Sequence, residues 1–221
     1  MLTELAILPE DALVPAPDHL SYAEAAALPC AAVTAWNALT GDGRGIQRGK
    51  TVLFTGAGGV LLFRVEFAKV LGARVIATTS RADKEQRLRD LGADEVINYR
   101  EVPNWHTASR ELTAGGRIDR VVDTAGTLEE SLKSGAVGRT YRLRCVRLRP
   151  PFDPRLLFGV AATVRALAVG SRVQFISMSN VITAHRLRPV LDQVFPLEEA
   201  VAAYRYYDSA SPFGKVIIKI G

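Results

Sequence analysis

The sequence predicts a doubly wound α/β fold, a parallel sheet with helices on both faces, and three observations carry that expectation. K-T-V-L-F, T-G-A-G-G-V and L-L-F-R-V-E-F-A-K-V-L follow one another over residues 50–71, in the order strand, glycine turn, helix. The phrase L-G-A recurs, as L-G-A-R-V-I at 71–76 and L-G-A-D-E-V-I at 91–97, each time after a run with helical spacing. Each glycine suits a left-handed helix C-cap and each V-I a following strand. Further short strands at 118–123 and 166–169 alternate with amphipathic helices at 58–70, 81–90 and 104–113. Strands that alternate with helices require right-handed crossovers, and those build a parallel sheet covered on both sides.

The flanks read differently. Residues 9–20 are rich in proline and acid and look like an extended connection. Ser21 with Glu24 forms a capping box for one helix running through S-Y-A-E-A-A-A-L-P-C-A-A-V-T-A-W-N-A-L. Near the end, P-L-E-E-A-V-A-A-Y-R-Y-Y reads as a helix and K-V-I-I-K-I as a closing strand.

With 221 residues and 48% hydrophobic composition the chain can fill one full core plus a smaller appendage. Arg64, Glu66 and Lys69 interrupt the most apolar helix, which excludes a membrane span there. The acidic N-terminus lacks the basic start of a secretory signal, and a cytoplasmic location is the expectation. Two cysteines and three histidines offer no metal-site spacing. The net charge of +5 is local: without Arg139, Arg142, Arg144, Arg147 and Arg149 the remaining 23 bases equal the 23 acids, so the sequence gives no case for a nucleic-acid partner.

Glycines without Cβ let backbone N–H groups and the positive end of the next helix approach a pyrophosphate, which makes Gly56, Gly58 and Gly59 the centre of a dinucleotide fingerprint. Leu61 stands where its third glycine belongs, and the alternative is a tight turn serving packing alone. The near-Walker run R-G-I-Q-R-G-K-T at 44–51 has Arg44 at the first glycine position and a strand after Lys50, and reads as a turn. Residues 75–84, V-I-A-T-T-S-R-A-D-K, put hydroxyls and bases where an NAD site places its ribose-binding acid, and this suits the 2′-phosphate of NADP(H). Arg81 and Lys84 could otherwise be a solvated first turn of helix 81–90.

These residues resemble the medium-chain dehydrogenase/reductase superfamily, in particular its zinc-independent alcohol dehydrogenase and quinone oxidoreductase branch. The matching phrases are L-P-C-A-A-V-T-A-W-N-A-L at 28–39, T-G-A-G-G-V at 55–60, L-G-A-D-E-V-I-N-Y-R-E at 91–101, V-G-S-R at 169–172 and F-G-K-V-I-I at 213–218. The resemblance implies a Rossmann domain at 21–180, with residues 1–20 and 181–221 as remnants of a barrel-like substrate domain. Relatives carry roughly a hundred more residues at the N-terminal side, the size of an ordinary domain. It implies hydride transfer between nicotinamide and a carbonyl, quinone or activated alkene, a small-molecule substrate and a homodimer. The rival is a nucleotide-binding module without catalysis. Thr34 would lie near the nicotinamide, and Gly58, Gly59 and Val60 at the pyrophosphate. Thr79, Ser80, Lys84 and Tyr99 would surround the 2′-phosphate. Asp123, Thr124, Ala125 and the loop Gly170, Ser171, Arg172 would approach the nicotinamide ribose. No residue earns a catalytic label. Cys30 matches a zinc ligand of zinc-dependent relatives, but its partner ligands fall in the part this chain lacks, and a buried small hydrophobe is its expected role.

The order of elements also requires a central strand within residues 134–151. Central parallel strands are continuously apolar, whereas this stretch alternates arginine with apolar residues. It is expected to be the least native part of the fold, and a compensated pair of reading-frame slips would explain it. An arginine ladder binding an anion is the alternative.

Overall fold

The computed structural model describes residues 2–41, 43, 45–56, 58–113, 118–135, 140–143, 153–210 and 212–221. Six parallel strands form one sheet: β1 (Thr51–Phe54), β2 (Arg74–Thr79), β3 (Glu95–Asn98), β4 (Arg120–Asp123), β5 (Thr140–Leu143) and β6 (Thr163–Ala166). Their order is β3-β2-β1-β4-β5-β6, so the chain winds outward from β1 in one direction and from β4 in the other. The connecting helices are α3 (Gly59–Val70), α4 (Glu85–Asp90), α5 (Trp105–Glu111), α6 (Leu128–Ser134) and α7 (Arg155–Val160). Before them come α1 (Tyr22–Ala25) and α2 (Val33–Thr40), and after them α8 (Arg172–His185) and α9 (Ala200–Ala210). Strands β7 (Leu191–Pro196) and β8 (Lys215–Lys219) pair in parallel as a second, two-stranded sheet.

Alternation along each strand divides the interior in two. Val52 and Phe54, Val75 and Ala77, and Val122 pack beneath α2, α3 and α8. Leu53, Ile76 and Val121 pack on the other face with Trp105, Leu128 and Leu132. On the first face Trp36 of α2 meets the Phe67 ring of α3 edge-on, with centroids 5.4 Å apart.

The repeated L-G-A phrase has one physical meaning in both places. Gly72 and Gly92 adopt φ of +75° and +111°. The N–H of Ala73 donates to the Ala68 carbonyl and that of Ala93 to the Leu88 carbonyl, each at 2.9 Å. Both are Schellman endings, which use the last carbonyls of α3 and α4 and aim the chain straight into β2 and β3.

Two expectations are corrected and a third is met. The helix that Ser21 caps is not continuous: the capping box forms, but α1 ends after one turn, a π turn spans Leu28–Ala32, and only then does α2 begin. Pro29 lies in that π turn, where its missing N–H and its ring prevent regular helical bonding. The last strand of the large sheet is β6 at Thr163–Ala166 rather than 166–169, because α7 ends in a left-handed Ala161 (φ +45°) and the chain extends directly afterwards. The central strand does form: Tyr141 pairs with Val121 of β4 and Val164 of β6. Tyr141 is 1% exposed in the second core, and burial pushes its phenol up to about 12. Residues 136–139 and 144–152, including Arg144, Arg147 and Arg149, lie outside the described residues.

The C-terminus of α2 is closed by two strand arginines. Arg120 of β4, 5% exposed, donates to the carbonyls of Ala38 and Leu39, and Arg165 of β6 to that of Gly41. Cations complement the negative end of a helix, which explains how a guanidinium stands at the head of a central strand.

Asp123, at the carboxyl end of β4, is 1% exposed. Its Oδ1 accepts from Thr55 Oγ at 2.8 Å and from the N–H groups of Ala125 and Gly126 at 2.9 and 3.0 Å. Its Oδ2 accepts from Thr127 and Ser131 hydroxyls at 3.2 and 2.9 Å. Asp123→Ala leaves those donors facing a void and should cost about 3–5 kcal/mol, read as a lowered urea midpoint.

Glu66, half-buried on α3, has its carboxyl pushed up from 4.5 to about 7 by burial. Below pH 4.5 folded and unfolded chains both hold the proton. Between pH 4.5 and 7 only the folded chain keeps it, so stability falls as pH rises through that window, by at most about 3 kcal/mol. Glu66→Gln should flatten this slope and raise stability above pH 7, as measured by urea unfolding across the window.

Candidate dinucleotide site

The two directions of winding separate between β1 and β4, and ligands of open α/β sheets lie outside the carboxyl ends of the strands at such a point. Thr55 and Gly56 leave β1 there, and Gly58 is the N-cap of α3 with no side chain bonded to the first turn. A Cβ on Gly58 would meet nothing within 4 Å, so the positive end of a 12-residue helix opens onto free space. Gly56 has φ +99°, and a Cβ there would strike Thr124 Oγ. Gly59 packs tightly on the other flank: its Cβ would lie 3.1 Å from the Gly214 carbonyl oxygen and 3.0 Å from Lys215 Cδ. Val60 is half-buried in the same turn.

Thr124 closes the opposite wall. Its hydroxyl donates to the Thr55 carbonyl at 2.6 Å and accepts from Arg64 at 3.4 Å, while its N–H donates to Thr55 Oγ at 3.2 Å. Ala125 follows, exposed. The structure therefore brings together Gly56, Gly58, Gly59, Val60, Thr124 and Ala125. Asp123 stands behind them with its oxygens occupied by the protein's own donors, which makes it the organiser of the wall.

A second corner forms at the ends of β2 and β3. The Tyr99 N–H donates to the Thr79 carbonyl at 2.9 Å, which sets Tyr99 beside Thr79, and Ser80 follows half-buried. Thr79 Oγ accepts from the Arg81 N–H at 3.2 Å. Lys84 is arranged differently from Arg81. It is 2% exposed, with Nζ 3.4 Å from the Pro212 carbonyl oxygen, and burial, aided by Arg81, holds its ammonium below the usual lysine range. Arg81 is exposed and clasps Asp83 through two hydrogen bonds of 2.8 and 2.7 Å. That pair holds the Asp83 carboxyl below its ordinary range. Sequence reading weighed Arg81 with Lys84 as bases for a 2′-phosphate; what it did not foresee is that Lys84 is buried, that Arg81 is the exposed one of the two, and that an acid, Asp83, stands paired beside Arg81.

The remaining expected residues gather around α2. Thr34 is fully buried and its hydroxyl donates to the Cys30 carbonyl at 2.6 Å, so it meets the protein before any ligand. Cys30 itself is exposed, against the expectation of a buried hydrophobe, because the π turn directs Leu28, Ala31 and Ala32 inward instead. Gly170 lets the loop after β6 lie on Val33, where a Cβ would come within 2.6 Å of Cγ2. Asn37 anchors the same loop, donating to the Val169 carbonyl at 3.1 Å. Ser171 caps α8 in a reciprocal box with Gln174, and Arg172 donates to the Leu13 carbonyl at 3.3 Å. The S-R-V-Q spacing carried that capping signal. Ser171 and Arg172 join Leu13, Pro29, Val33 and Phe175 around a cleft of about 310 Å³. Lys215, which sequence reasoning did not select, was marked only by the F-G-K-V-I-I phrase.

The geometry agrees with known proteins. The family model for zinc-binding dehydrogenases matches residues 91–218. The chain is 37% identical over 224 residues to a zinc-type alcohol dehydrogenase-like protein of Schizosaccharomyces pombe, covering 97% of this chain and 65% of that protein. It is 31% identical over 230 residues to a chloroplastic quinone-oxidoreductase homolog of Spinacia oleracea, covering 99% and 68%. A solved NAD-dependent alcohol dehydrogenase superposes with a TM-score of 0.86 at 35% identity, covering 97% of this chain and 63% of that one. The chain thus spans a little under two thirds of the length of the yeast relative and of that enzyme. A glycine turn at the switch point of a six-stranded parallel sheet, matched in sequence and in structure over almost the whole chain, places the protein in the zinc-binding dehydrogenase family of the medium-chain dehydrogenase/reductase superfamily.

Proposed function

We propose that this chain is the cofactor-binding part of an NADPH-dependent oxidoreductase that moves hydride between nicotinamide and a carbonyl, quinone or activated alkene. The observation that carries the reading is the bare N-terminus of α3, open between Gly56, Gly58 and Thr124 at the switch point. The donor set fits a dinucleotide: the N–H groups at the start of α3, at Gly59 and Val60, for the pyrophosphate, and Thr79, Ser80, Arg81 and Tyr99 for the adenosine ribose and its phosphate. Nicotinamide supplies the hydride chemistry when bound. The chain's own groups orient it: Thr124 and Ala125 wall the cradle, and the cleft with Ser171 and Arg172 lies beyond it. Lys84, held on Pro212, steadies the 2′-phosphate corner. The reading includes a small-molecule substrate, a cytoplasmic location and a homodimer; the spinach relative is chloroplastic by name.

The terminal segments belong to a separate substrate domain in this reading. Leu5 and Ile7 are 88% and 102% exposed, and Tyr204 and Tyr207 of α9 are 64% and 63% exposed. Apolar surface on that scale is what a neighbouring domain covers. A nucleotide-binding module without catalysis is the rival, and NADPH oxidation against a panel of quinones separates the two.

Asp83 favours one variant of the reading, because a carboxylate next to Arg81 could take a ribose 2′-hydroxyl and admit NADH. Fluorescence titration should show NADPH binding more tightly than NADH, and Arg81→Ala should weaken NADPH about tenfold while leaving NADH little changed. Tighter NADH binding by the native chain overturns the NADPH assignment.

Zinc independence is part of the same proposal. Among the described residues no group of three or more His, Cys, Asp or Glu side chains is arranged to hold a metal ion. Metal analysis of the purified chain should find far less than one zinc per chain, and one equivalent would refute it.

A further inference from the structure

We propose that Arg64 is a positioning residue for the dinucleotide pyrophosphate, supplying a buried positive charge beneath the glycine cradle and fixing the Thr124 wall. This rests on reading the N-terminus of α3 as a dinucleotide site. Arg64 is among the largest side chains buried to completion, at 0% exposure. It lies five positions after Gly59 on α3, and helical side chains lean toward the N-terminal end of their helix, so its length carries the guanidinium toward the cradle. Nη1 donates to Thr124 Oγ at 3.4 Å. The same oxygen donates to the Thr55 carbonyl at 2.6 Å, and it is the atom that a Cβ on Gly56 would strike. One hydroxyl thus separates the guanidinium from the turn that faces the ligand.

The physical case is electrostatic. A guanidinium keeps its charge at every working pH, and in the interior its field is little screened by water or salt. Burying such a charge on a helix packed against a sheet is costly, and the site it adjoins is the one where the dianionic pyrophosphate arrives. In this proposal the buried charge of Arg64 adds to the positive N-terminus of α3 in attracting the ligand, and its bond to Thr124 holds the wall at the right distance. Because the pyrophosphate is common to both cofactors, Arg64 raises affinity without choosing between them.

The test compares the native chain with Arg64→Met, Arg64→Lys and Thr124→Val, titrating NADPH, NADH and ADP-ribose, which carry the pyrophosphate, and adenosine 2′-monophosphate, which does not. Arg64→Met should weaken the three pyrophosphate ligands about tenfold, keep the NADPH-to-NADH ratio and leave the monophosphate within about twofold, with Arg64→Lys recovering part of the loss. Should Arg64→Met fail to fold by circular dichroism, Thr124→Val carries the test, with the same selective loss expected. Unchanged binding of the pyrophosphate ligands by a folded variant, or an equal loss for the monophosphate, overturns the role of Arg64 alone. A native chain that binds none of the dinucleotides overturns the cofactor reading, and this inference with it.

Discussion

The carboxylate of Asp123 is the interaction on which the rest of the site depends. One buried side chain gathers donors from the end of β1, from the turn that leaves β4 and from the first turns of α6. A buried ionised group is tolerated only when hydrogen bonds replace its water, and here five do so. The result is that the exits of the two central strands are set relative to each other before any ligand arrives. Thr124 inherits its orientation from that arrangement, and Gly56 must then be glycine because Thr124 Oγ occupies the space of a side chain. A site whose wall is fixed by its own fold binds without first having to order it.

The same economy explains why the two sides of the sheet have different tasks. The face beneath α2, α3 and α8 carries the cradle and the loop of Ser171 and Arg172, while the face with Trp105, Leu132 and Tyr141 is apolar packing. Helix α2 ties the functional face together: its C-terminus is closed by Arg120 and Arg165 from two strands, and its Asn37 anchors the loop before α8. Displacing α2 would move the cleft, the sheet edge and the cap of α8 at once.

Much of this was legible in the sequence, and the failures have identifiable causes. The L-G-A repeats, the glycine turn and the strand alternation were readable because each depends on local backbone chemistry, a positive φ or a two-residue period. The break at Pro29 was readable in principle, since proline in a helical run is a standing signal, but the capping box and the alanine-rich run outweighed it. Position β6 was misplaced because Leu167 and Val169 look like a strand in isolation, while α7 and the left-handed Ala161 decide where extension starts. Long-range partners were not legible at all. Nothing near Lys84 in sequence announces Pro212, nothing near Arg120 announces the end of α2, and Cys30 reads as buried until the π turn rotates it outward.

The β7–α9–β8 unit has a thermodynamic consequence. Two parallel strands do not form a stable sheet by themselves, so this unit borrows its stability from the body of the molecule. Part of the attachment lies in residues 212–215, with Pro212 on Lys84, the Phe213 ring 3.9 Å beneath Arg87, and Gly214 with Lys215 against Gly59, and part in Ile217, Val190 and Leu191 at the main core. Such a unit is the natural candidate for sub-global opening, detaching as one piece at less than the full unfolding free energy. Since part of its attachment runs over the first turn of α3, opening also strips one flank from the glycine turn. Any ligand that binds only the attached form shifts that equilibrium in its own favour, so occupancy of the cradle and closure of the C-terminal unit are linked equilibria, each tightening the other.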